Sequence, residues 1–91
     1  MSVKVRIPSP LRGLTGGQGT VELDAANLVE CLDNLDAQFP GIKARLCDEA
    51  GQVQQFVNVY INGEDIRFLQ EMASTLKAGD EVSIVPAMAG G

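Results

Sequence analysis

The stretch Phe56-Val57-Asn58-Val59-Tyr60-Ile61-Asn62-Gly63-Glu64-Asp65-Ile66-Arg67-Phe68 decides how this chain folds. Its first six residues alternate: Val57, Val59 and Ile61 fall to one side, Phe56, Asn58 and Tyr60 to the other, as in a half-buried strand rich in β-branched and aromatic residues. Asn62-Gly63 follows at once. Both central residues of a type I′ turn need positive φ, which this pair tolerates best, so the strand reverses there and Glu64 to Phe68 returns as a short strand.

Working outward, Leu76 to Asp80 is another turn, and Val82 to Val85 forms a last strand stopped by Pro86. Upstream, Leu28, Leu32, Leu35 and Phe39 recur at spacings of 4, 3 and 4, one stripe of a helix. Asp24 is the expected N-cap, and Pro40 with Gly41 stops the helix near Phe39. Ile42 and Leu46 share one face of a short helical turn, and residues 48 to 55 read as a loop. At the N-terminus Val3, Val5 and Ile7 alternate with Lys4 and Arg6 up to Pro8 and Pro10. Thr20 to Leu23 repeats the pattern beyond a turn-rich stretch, Gly13 to Gly19, making a hairpin with a long loop. The order is two strands, a helix, a helical turn, then strand, hairpin and strand, which predicts an α+β domain whose mixed sheet covers one main helix. Leu28, Leu32 and Leu35 are expected to pack on Val5, Val21, Val59 and Ile84.

The chain has 91 residues, and 7 Lys and Arg against 12 Asp and Glu give a net charge of −5. With 45% apolar and 21% charged residues it is globular, not disordered. It contains no His, which excludes Ser-His-Asp and Cys-His nucleophile systems, HExxH motifs and mixed Cys-His zinc fingers. Acidity and a shortage of aromatic residues argue against a nucleic-acid partner. No apolar run approaches the length of a membrane span, and the N-terminus lacks an apolar signal segment, so a cytoplasmic location without membrane association is expected. Cys31 and Cys47 are then expected to be reduced and buried as small hydrophobes, a disulfide between them being the alternative. Asp24, Glu30, Asp33, Asp36, Asp48 and Glu49 are scattered without a calcium-loop spacing and read as a solvated face, so no metal site is expected. Arg67 and Phe68, like Lys43 and Arg45, read as surface or satellite-core positions.

The end of the chain is chemically distinctive. Glu81 carries the last side-chain charge, and after Pro86 the sequence reads Ala87-Met88-Ala89-Gly90-Gly91. A domain at 1–86 is therefore followed by a tail at 87–91 that is narrow, uncharged and expected to be flexible, a shape suited to threading into a partner's tunnel. The two glycines lack Cβ atoms, so a partner can close around the backbone up to its last atom. The only chemistry such a tail offers is its α-carboxylate. Phe56, Tyr60 and Val85, continuing into Met88, are the candidate docking patch on the outward face of the sheet.

GDEVSIVPAMAGG, preceded by FVNVYINGEDIRF, resembles the MoaD/ThiS family of ubiquitin-like sulfur carriers over essentially the whole chain. The resemblance implies a β-grasp fold. It also implies that an E1-like adenylyltransferase/sulfurtransferase, consuming ATP, converts Gly91 to an acyl adenylate and then to a thiocarboxylate. Gly90, Ala89, Met88 and Ala87 would thread into partners. The carrier would be a monomer when free, would bind no cofactor, and would have no catalytic residue of its own. Pro8 to Gly17 and Phe56 to Arg67 look most like the carriers that serve cysteine biosynthesis, where the acceptor is a pyridoxal phosphate-dependent cysteine synthase holding an aminoacrylate. The molybdopterin synthase large subunit is the alternative acceptor. A protein modifier joined through Gly91 to a lysine, and a plain binding module, are the readings from other classes.

Overall fold

The computed structural model describes residues 2–54 and 57–86. Val3 and Val5 are buried while Ser2, Lys4 and Arg6 are exposed, so β1 (Ser2–Arg6) has one face on the core. β2 (Thr20–Asp24) repeats the pattern and pairs antiparallel with it, Val5 opposite Val21. The connection is more ordered than a turn-rich reading suggests. Ser9–Thr15 winds as a 3-10 segment that ends on Gly16 at φ 67, and the buried Thr15 hydroxyl donates to the Gln18 carbonyl at 2.8 Å.

Helix α1 spans Leu28–Gln38 and its N-cap is Asn27, which corrects the expectation of Asp24. Asp24 stays in β2 opposite Ser2, and the chain needs the next residues to climb from sheet to helix. Asn27 Oδ1 accepts the Glu30 N–H at 2.9 Å and Glu30 Oε1 accepts the Ala26 N–H at 3.0 Å, a reciprocal pair of the capping-box kind. Leu28, Leu32 and Leu35 are wholly buried and share one core with Val5, Val21, Val59 and Ile84, as the stripe predicts. Cys31 and Cys47 are free thiols in the same core, and burial pushes the Cys31 thiol up to about 12. Helix α2 (Ile42–Leu46) starts from Gly41 at φ 100 and buries Ile42 and Leu46.

β3 (Val57–Ile61) runs into Asn62 at φ 52 and Gly63 at φ 87, the two positive φ values that the turn requires. The returning strand β4 is only Glu64–Asp65, shorter than the expected Glu64 to Phe68. The Asp65 carboxylate accepts the Arg67 N–H at 2.9 Å, closing a 3-10 turn over Ile66–Phe68 that buries Ile66. β5 (Glu81–Pro86) completes a five-stranded sheet in the order β2-β1-β5-β3-β4. β5 is parallel to β1 and antiparallel to β3. A mixed sheet of this order with α1 against its buried face is the β-grasp, ubiquitin-like fold.

Candidate functional site

β5 carries the chain toward its last residues from the middle of the sheet. β1 flanks it through Lys4–Glu81, Val5–Val82 and Arg6–Ser83, whereas β3 flanks it along its whole length, ending at Val57–Pro86. Beyond Ser83 the paired neighbour is β3 alone. Asn62 N–H donates to the Glu81 carbonyl at 2.9 Å, so even-numbered β3 residues turn their backbone groups to β5 and Val57–Pro86 is a non-hydrogen-bonded pair. Pro86, which has no N–H, therefore removes no bond from this ladder while ending the strand. The expected tail residues Ala87, Met88, Ala89, Gly90 and Gly91, and the candidate docking residue Phe56, lie outside the described residues.

The outward face beside this exit is set by the register. Asn58 stands opposite Val85, and Tyr60 opposite Ser83, which faces Arg6 on its other side. Tyr60 and Val85 thus share one face, as expected; Tyr60 is half-buried and Val85 is 44% exposed. Arg6 approaches Glu81 at 3.7 Å.

A side-chain network escaped the sequence reading. Arg67 Nε donates to both Asp65 oxygens at 3.1 and 3.3 Å, and Nη2 donates to Asp65 Oδ2 at 2.7 Å and to Asn58 Oδ1 at 3.0 Å. These bonds hold the Asp65 carboxyl below the usual carboxylate range. The 3-10 turn that aims Arg67 at Asn58 has no period in the sequence, and only Asp two positions before Arg signals it. Phe68 is 86% exposed, which places it on the surface and not in a satellite core. A second network ties the hairpin to the start of β5: Asn62 Nδ2 donates to Asp80 Oδ1 at 2.9 Å, and Asn62 Oδ1 accepts the Glu81 N–H at 3.0 Å. Lys43 pairs with Asp33 and so braces α2 against α1. Among the described residues, no group of three His, Cys, Asp or Glu side chains is placed to hold a metal ion, and no helix is long and apolar enough to cross a membrane.

Against known proteins, residues 5–91 match the ThiS family model. The sulfur carrier protein CysO of Mycobacterium tuberculosis is 43% identical over 93 aligned residues that take in 100% of both chains. A chain of the solved Amycolatopsis orientalis BexX/CysO complex is 44% identical and superposes with a TM-score of 0.92, covering 98% of this chain and 99% of that one. Small archaeal modifier protein 3 of Haloferax volcanii is 40% identical over 68 residues, 75% of this chain and 73% of that protein.

Proposed function

Because the chain belongs to the ThiS family, the MoaD/ThiS group of ubiquitin-like carriers, we propose that it is a sulfur carrier whose Gly91 carboxylate is adenylated and then made a thiocarboxylate. The observation that carries this reading is the end-to-end match to a protein named as a sulfur carrier, with the Gly-Gly end inside the aligned region. The fold supports it by bringing the chain out of the central strand at Pro86.

The chemistry needs little of the carrier itself. A carboxylate is a poor electrophile, so one Gly91 oxygen attacks the α-phosphorus of ATP and pyrophosphate leaves; hydrosulfide or its enzyme-bound equivalent then attacks the acyl carbon and expels AMP. The product keeps the anionic charge and gains a nucleophilic sulfur. What this chain supplies is presentation: a rigid sheet, a docking face with Asn58, Tyr60 and Val85, and Gly90 and Gly91, around which a partner can close. ATP and its metal ion belong to the E1-like activating enzyme, and the chain is a cosubstrate, not a catalyst.

The favoured acceptor is a cysteine synthase, in keeping with the CysO relatives; there, thiocarboxylate sulfur would attack an aminoacrylate and leave cysteine attached to Gly91 for hydrolytic release. The molybdopterin synthase large subunit is the alternative acceptor. A second reading, attachment of Gly91 to a lysine as a protein modifier, draws on the similarity to small archaeal modifier protein 3. Intact-mass measurement after incubation with activating enzyme, ATP and a sulfur source decides. One oxygen exchanged for sulfur is the expected result. A lysine conjugate selects the modifier reading, and an unchanged mass refutes both.

A further inference from the structure

We propose that Arg67 is a specificity-determining residue that pairs with a surface carboxylate of the enzyme that adenylates the tail, an inference that rests on the carrier reading and deepens it. The guanidinium is already oriented. Nε and Nη2 are spent on Asp65 and Asn58, while Nη1 has no partner among the described residues and the side chain is 63% exposed against 11% for Asp65. Nη1 thus faces solvent in a fixed attitude, so a partner carboxylate gains a charge-assisted N–H donor at small cost in side-chain entropy.

Its position ties it to the tail. Asn58, which holds Nη2, is paired with Val85, the residue before Pro86, so the guanidinium and the root of the tail are carried on adjacent strands. Five residues reach at most roughly 17 Å from that root. An enzyme reacting with the last atom must therefore fix where the root sits, and an anchor one strand away does that. Charge favours the anchor: the chain's net charge is −5, so an acidic spot on a partner is repelled by much of its surface and accepted where an exposed guanidinium nitrogen meets it. The activating enzyme is the partner assigned because adenylation precedes both the thiocarboxylate and the lysine-linked product.

The test is ATP–pyrophosphate exchange by the activating enzyme that loads the wild-type chain, with KM for the carrier and kcat measured separately for Arg67→Gln, Arg67→Lys and Asp65→Asn, and urea midpoints alongside. Arg67→Gln should raise KM about tenfold with kcat within about twofold, and Arg67→Lys should recover only part, since an ammonium lacks the planar fork. Added salt should raise KM for wild type and much less for Arg67→Gln. Asp65→Asn, which loosens the brace but keeps the guanidinium, should raise KM by much less than Arg67→Gln does. Unchanged KM in Arg67→Gln overturns the inference, as does an equal KM rise and midpoint loss in Asp65→Asn, which would make Arg67 a brace only. A defect confined to the acceptor step overturns it too. If wild type itself gives no exchange, the carrier reading falls and takes this inference with it; if wild type exchanges and Arg67→Gln matches it, this inference alone falls.

Discussion

Asn62 does two jobs at once. At φ 52 it supplies the left-handed conformation the turn needs, and its amide spans Asp80 and Glu81, fastening the hairpin to the first residue of the central strand. Asn62→Ala forfeits both side-chain bonds and puts a Cβ with no compensating polar group at positive φ, so we expect a loss of about 1 to 3 kcal/mol in urea denaturation. The same network sets an acid response. The Asn62 amide, and the Lys77 N–H at 2.8 Å, hold the Asp80 carboxyl below its ordinary value, and Arg67 does likewise for Asp65. A carboxyl with a depressed folded pKa stabilises the fold above its unfolded pKa, near 3.9, and loses that contribution as pH falls through the folded value. Urea midpoints should therefore fall below about pH 4, and Asp80→Asn should flatten part of that decline while lowering stability at neutral pH. A pH profile of Asp80→Asn parallel to wild type would show that Asp80 carries none of it.

At the scale of elements, legibility in the sequence depended on how local the cause was. Val57 to Gly63 could be read because alternation and turn chemistry act within a few residues, and Leu28, Leu32 and Leu35 because one helical stripe must face the sheet. The true N-cap could not. Asp24 and Asn27 are both good caps, and the choice was made by long-range backbone pairing: Asn27 bridges to Thr75, and Leu28 N–H donates to the Ser74 carbonyl at 3.0 Å. Only the fold reveals those partners. Likewise the return strand stopped at Asp65 because that carboxylate captured the Arg67 N–H, a competition between side chain and ladder that no periodicity displays. The face that carries Tyr60 and Val85 was legible from alternation, and the register sets Val85 beside Asn58, while the Arg67 network depends on the 3-10 turn. Two variants test the helix assignments. Asn27→Ala should cost about 1 kcal/mol, the usual worth of a cap, and Asp24→Ala less. Leu32→Ala, at a wholly buried position, should cost about 2 to 5 kcal/mol by lost transfer energy and cavity formation. An unchanged urea midpoint for Leu32→Ala would remove Leu32 from the core.

For the whole molecule, the carrier reading assigns stability to the sheet and helix and the proposed chemistry to the end of the chain. The core runs from Val3 to Ile84 and every strand of the sheet contributes to it except β4, so stability resides in residues that have no part in the proposed chemistry. Pro86 closes β5 without removing a bond from the β3–β5 ladder, so the described sheet is complete at Pro86. Changes at the far end should therefore act on chemistry alone. Adenylation requires a free α-carboxylate at a fixed distance from the docked sheet, so deleting Gly91 shortens the reach by about 3.5 Å, and appending one residue replaces the carboxylate at that point with an unreactive amide. Both variants should unfold at the wild-type urea concentration, and neither should acquire sulfur when incubated with the activating enzyme, ATP and a sulfur source. Gly91→Ala should fall between, because its carboxylate is present but a methyl group must fit where the partner closes on bare backbone. Intact mass and a denaturation curve on the same samples make the comparison. A one-residue extension that loads sulfur as fast as wild type would contradict the assignment of Gly91, whereas a deletion that lowers the urea midpoint would show that the end of the chain belongs to the fold.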